Sequence, residues 1–247
     1  MTLISGRGAR VLADWHGDDQ RAYVERSHQA RDHCWHAVHD LEANQFFVSL
    51  VSRSREIRRQ GLQIWAGEEQ VREERRARAR EIKQPIPTPD GRGIYRANGG
   101  RIFFDLEWDR ATESLQRMRQ KIASYVAYFK HYRNADKYHV LFVVPNDRRE
   151  DSLHYEIWRG RPNYSSDTCC SVWTTTSDRL RRWGPLGTIW LKCENRAADP
   201  PPIGITRVGQ RIAFRQLPPM DDTDRSTGDC IGKPSWWERR PGGGQVA

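Results

Sequence analysis

Between Arg101 and Arg110 apolar and polar residues sort with a period of two. Ile102, Phe104, Leu106 and Trp108 fall on one side of an extended chain, and Phe103, Asp105, Glu107 and Asp109 on the other. The alternation predicts a strand. Asn98-Gly99 ahead of it suits the positive φ angles of a tight turn, so "GRGIYRANGGRIFFDLEWDR" predicts a β-hairpin. Leu115, Met118, Ile122, Val126 and Phe129 then recur at steps of three, four, four and three, the strongest helical pattern in the chain. Thr112 is its expected N-cap, with Glu113 at the positive end of the dipole. An earlier helix is predicted from Val38, Leu41, Phe47 (or Phe46), Val48 and Val51; Gly61 ends it and "LQIWA" follows as a short strand. "EEQVREERRARAREIKQPIPTP" is polar all round and predicts a solvated helix or a loop, stopped by Pro85, Pro87 and Pro89.

Further on, the unbroken apolar run "YHVLFVVP" predicts a strand buried on both faces. "CCSVWTTT" and "GTIWL" read as two more strands, and "SDRLRRWG" as a short helix capped by Ser177 and stopped by Gly184. This order predicts an α/β domain with a mixed central sheet flanked by helices over residues 31–194. The opening "LISGRGARVLADWHG" reads as a short extended piece, a Gly-containing turn and a helix start, and residues 1–30 are set apart from the domain as a separate leading segment and linker. Residues 195–247, rich in Pro, Gly, Asp and Arg, are expected to be a mostly disordered tail.

Composition narrows the partners. The 247 residues are 37% hydrophobic and 30% charged, with a net charge of +9, a balance that favours a polyanionic partner such as DNA over a generic basic surface. No apolar run approaches the roughly eighteen residues of a membrane span, and no signal pattern opens the chain, so a cytoplasmic location is expected. The five cysteines form no CxxC pair, which argues against a disulfide framework and a zinc ribbon.

Three acids on one side of an apolar strand call for an explanation, because an unpaired ionised carboxylate in a core costs too much; they must meet water, cations or a metal. Strand geometry lets Glu107 and Asp109 converge, with Asp105 one step behind. A tight hairpin returns Asp90, in "PTPDG", to their neighbourhood. Carboxylates around one point suit a hard divalent ion such as Mg2+, and with a lysine nearby they suit phosphodiester chemistry. Lys121, one residue before a core position of the long helix, is the candidate lysine, on a stripe with Arg117 and Tyr125. The competing reading pairs the acids with Arg110 and Lys121 as salt bridges.

The arrangement resembles the restriction-endonuclease-like, or PD-(D/E)xK, nucleases: Pro89-Asp90, a hairpin, a strand ending in an acid, then a helix. Asp109 stands where that pattern has a lysine, and Lys121 would have to replace it from the helix. A closer resemblance is to the replication-relaxation family of actinobacterial and plasmid-borne proteins. It runs through Asp90, Glu107, Asp109, Arg110, Thr112, Lys121 and Tyr125, then His39, Asn44 and Leu50 in "HAVHDLEANQFFVSL", and "TTTSDRLRRWGPLGTIW", covering roughly residues 1–192. The resemblance implies a DNA-associated protein of plasmid or mobile-element replication. Asp90, Glu107 and Asp109 would hold Mg2+, Lys121 would stand near a scissile phosphate, and His39, Asn44, Arg110, Thr112, Arg117 and Tyr125 would bind DNA or support the site. Family members usually begin with a winged helix-turn-helix, of which "LISGRGARVLA" resembles the last piece. The expectation is a fragment, a misplaced start, or a separate winged-helix or mobilisation partner.

Two function classes follow. One is a Mg2+-dependent nuclease or nickase; the other is a DNA-binding or replication-control module that keeps the fold without the chemistry. A third, plain interaction domain would use the acids and arginines as ion pairs. Two lesser signals are His33, His36 and His39 beside Cys34, spaced as for a metal on one helix, and Trp236-Trp237 as a docking motif.

Overall fold

The computed structural model describes residues 10–11, 13–14, 19–82, 86–97, 100–129, 138–159, 170–193 and 210–220. Helix α1 (Gln20–Ser54) opens behind Asp19, whose carboxylate accepts from the Ala22 N–H at 2.7 Å. The chain divides into two compact units, Met1–Glu42 and Ala43–Ala247, with the boundary inside α1.

In the second unit, strand β1 (Gly61–Gly67) is followed by helix α2 (Glu68–Ile82) and the hairpin β2 (Gly91–Ala97) and β3 (Gly100–Trp108). Helix α3 (Leu115–Phe129), strand β4 (Tyr138–Val144), helix α4 (Asp147–Arg159), strand β5 (Ser171–Thr176), helix α5 (Ser177–Trp183) and strands β6 (Thr188–Lys192) and β7 (Ile212–Ala213) complete it. The strands lie in sequence order in one seven-stranded mixed sheet. β1, β2 and β3 run antiparallel, β3, β4 and β5 parallel, and β6 and β7 return antiparallel.

The period-two reading of β3 holds. Ile102, Phe104 and Leu106 enter one core cluster with Phe46, Phe47, Leu50, Leu180 and Trp190, while Phe103 enters the other with Met118, Ile122, Tyr125 and Phe129. β4 is buried at every residue, as an apolar run between two helical layers should be. α3 and α4 therefore cover one face of the sheet, and the end of α1 with α5 the other.

Five expectations change. α1 buries Ala43, Phe46, Phe47 and Leu50, while Val48 stays 51% exposed; two helical stripes fit the pattern, and the one carrying two aromatic rings buries more apolar area. α3 begins at Leu115 with Ser114, not Thr112, accepting from the Arg117 N–H, and α5 is capped by Thr176 rather than Ser177. α4 has no counterpart among the predicted elements. Finally, residues 210–220 belong to the fold, not to a tail: Phe214, Leu217 and Met220 are buried, and Met220 exchanges two backbone hydrogen bonds with Arg101.

Candidate functional site

The hairpin register sets Gly91 opposite Leu106, so Asp90 stands beside the end of β3. Its N–H donates to the Leu106 carbonyl at 3.0 Å, and its Oδ2 accepts from the Trp108 N–H at 2.5 Å. Glu107 is buried. Its Oε2 accepts from Lys121 Nζ at 2.7 Å and its Oε1 from the Tyr125 hydroxyl at 2.5 Å, both one turn apart on α3. Glu113 approaches the same ammonium at 3.8 Å. The structure thus gathers Asp90, Glu107, Lys121 and Tyr125 at the carboxyl end of β3.

Burial raises the Glu107 carboxyl to about 7, Lys121 pulling it down and Asp90 pushing it up. Burial also raises Asp90 to about 6, against the pull of Lys121 and the Trp108 N–H. Burial would lower the Lys121 ammonium, but Glu107 and Asp90 hold it above its ordinary range. The Tyr125 hydroxyl is pushed well up by burial and by Glu107, which keeps it a donor. One ammonium thus faces three acids, Glu107, Asp90 and Glu113.

The other acids of the strand have cations of their own. Asp105, fully buried, accepts from Arg75, from Arg92 at 3.3 Å and from the Tyr138 hydroxyl at 2.8 Å. Arg75 also donates to the Pro87 carbonyl and lies over the Tyr128 ring. The charged α2 is therefore not a purely solvated helix: Val71 and Arg75, four residues apart, turn inward. Asp109 leaves the Glu107 site altogether. Its carboxylate accepts from Arg149 Nε at 2.5 Å and Nη2 at 3.2 Å, and from the Ala111 N–H at 2.7 Å, where Ala111 has a φ of 57°. Asp109 thus fixes the sharp turn between β3 and α3 and ties it to α4.

Of the remaining predicted residues, Arg117 and Thr112 are exposed, the former 3.4 Å from Glu113, and Arg110 is half-buried. Asn44 is exposed on α1, and His39, in the N-terminal unit, lies 3.9 Å from Asp40. The side chains of His33, Cys34 and His36, as well as Trp236 and Trp237, lie outside the described residues. Sequence reasoning missed Arg75, Arg92, Tyr138 and Arg149. Only Arg75 left a signal, an arginine four residues after the one valine of a charged helix.

Among the described residues no three of His, Cys, Asp and Glu meet as a metal-holding group. Asp90 and Glu107 are two hard oxygen donors whose pKa values burial pushes up. In donor type they fit Mg2+, which takes one or two carboxylates and completes its shell with water and phosphate. No helix among the described residues is long and apolar enough to cross a membrane.

Sheet and site define an α/β protein with a mixed sheet whose parallel strands carry a buried acid–lysine–tyrosine cluster at their carboxyl ends. The profile of the family described as Replication-relaxation matches residues 3–144, more than half the chain, and the protein belongs to that family. Neither curated proteins nor solved structures yield a match to the chain.

Proposed function

We propose that the protein is a DNA-binding, replication-control module that keeps a nuclease-like core and uses its acid cluster to hold the fold together rather than to cut DNA. The observation that carries this reading is Asp109. It occupies the place where the nuclease pattern has a lysine, and its carboxylate is committed to Arg149 and to the turn at Ala111. Glu107 likewise has both oxygens engaged, by Lys121 and Tyr125. The net charge of +9 supplies the attraction to DNA, and the family is consistent with a role in replication.

A second reading, a Mg2+-dependent nuclease or nickase on plasmid DNA, is favoured by the closeness of the Asp90 and Glu107 carboxylates beside Lys121. In it those two carboxylates would hold the ion, and Lys121 would face the scissile phosphate. Bound Mg2+ would polarise that phosphate and acidify a water. One experiment separates the two. Supercoiled plasmid is incubated with the protein in Mg2+ or in EDTA, and duplex binding is measured across a salt series. The control-module reading expects binding that weakens steeply with salt, survives EDTA and leaves the plasmid intact. Nicking that needs Mg2+ and disappears in Glu107→Ala would replace it with the second reading.

A further inference from the structure

β4 and β5 are parallel neighbours, yet the helices that follow them leave toward opposite faces of the sheet. Leu153 and Ile157 of α4 join the core cluster of one face, and Leu180 of α5 joins that of the other. Where two adjacent connections part in this way, a crevice opens beyond the carboxyl ends of the strands, and ligands of open α/β sheets bind there. This protein has such a crevice. A cavity of about 410 Å3 lies between the β4–α4 and β5–α5 connections, lined among others by Asn146, Asp147, Asp178, Arg179, Arg182 and Trp183. Its lining shares no residue with the Asp90–Glu107 cluster.

Side chains of the walls are tied to one another. Asn146 caps α4 by accepting from the Arg149 N–H at 2.9 Å, and Arg179 is held by Asp147 at 2.6 Å and Glu150 at 3.2 Å. Trp183, the last residue of α5, is 60% exposed. Gly184 follows with a φ of 70° and packs against the Arg53 side chain, and a Cβ on Gly187 would stand 2.9 Å from Trp183 Cβ. Beside the ring, Arg181 and Arg182 share a single acid, Asp178, at 3.4 and 3.7 Å, with side chains 72% and 67% exposed. An exposed indole beside Arg182, whose side chain is 67% exposed and 3.7 Å from Asp178, offers a base a stacking face and a phosphate a cation.

We propose that this crevice is a subsite for one nucleotide of single-stranded DNA, its base stacked on Trp183 and its phosphate facing Arg182. The proposal rests on the DNA-binding reading and adds to it a preference for unpaired bases, since a paired base cannot enter a concave site. Fluorescence anisotropy of a labelled twelve-nucleotide single strand, the same strand with abasic positions, and a duplex of equal length tests it on the full chain. Trp183→Ala should weaken single-strand binding about tenfold, leave duplex binding unchanged and make little difference to the abasic strand. Trp183→Phe should retain most of the affinity, and Arg182→Ala should lower it together with the salt slope. Thermal melting checks that each variant is folded. If the wild-type chain binds both DNA forms and Trp183→Ala binds single strands as well as it does, the subsite assignment fails while the DNA-binding reading stands. An equal loss on duplex and single strand also overturns it. Displacement of the strand by micromolar free mononucleotide would reassign the crevice to a small molecule. Absence of any DNA binding by the wild-type chain removes the functional reading, and this inference with it.

Discussion

Asp105, Glu107 and Asp109 share one side of one strand, yet each meets a different cation from a different element: Arg75 from α2 and Arg92 from β2, Lys121 from α3, and Arg149 from α4. Buried carboxylates are tolerable only when so paired and hydrogen-bonded. The pairing is uneven at Glu107, because Asp90 competes for the same ammonium. Its carboxyl titrates near 7 in the folded chain, above the ordinary value near 4.5, so protonation favours the folded state. That contribution is fully present below about pH 4.5 and is lost as pH rises through 7. Glu107→Gln, which mimics the protonated form, should therefore gain stability relative to wild type as pH rises from 5 to 8. The difference should grow by at most about 1.4 kcal/mol per pH unit. Urea midpoints of both proteins across that range measure it. A difference that stays flat would show that Glu107 is ionised throughout.

At the scale of elements, the hairpin of β2 and β3 brings Asp90 to Glu107, and its closeness depends on glycines. Gly93 pairs with Phe104 across the hairpin, and a Cβ there would overlap the Phe104 ring, which packs edge-on against Phe46 and Phe214. Gly93→Ala should cost roughly 2 kcal/mol through overpacking. The loss should appear as a lower urea midpoint with an unchanged slope, since the unfolded surface is the same. No change in midpoint would mean that the ring has room to move. The helices repeat the lesson of the strand. α2 has almost no apolar surface, yet it docks through Val71 and Arg75, so its place depends on the acid it neutralises.

At the scale of the molecule, residues 210–220 close the second unit. β7 pairs with β6, Phe214 and Leu217 enter the core beside Trp190, and Met220 bridges back to Arg101 at the start of β3. Three fully buried apolar side chains contribute roughly 5 kcal/mol, comparable to the net stability of many domains. A chain ended after residue 209 should therefore lose cooperative unfolding, with weak near-ultraviolet circular dichroism and binding of a hydrophobic dye. A truncated chain that melts as sharply as the full one would remove these residues from the core.

The sequence by itself determined the strands and helices whose periodicity is strong and the pairing of β2 with β3; of the four side chains it expected at one point, Asp90, Glu107 and Lys121 lie together and Asp109 stands apart on Arg149. The strands, the helices and that pairing depend on spacing, and spacing along a strand or helix is local geometry. It also carried the family, through motifs in order along the chain. The tertiary structure decided which partner each charge takes. Arg75 lies 30 residues from Asp105 and Arg149 lies 40 from Asp109, and no periodic signal links residues so far apart. It also decided which stripe of α1 is buried, and it returned residues 210–220 to the core. A side chain's charge fixes that it needs a partner; which partner reaches it depends on how the sheet and its helices stack, and that is settled only when the chain is folded.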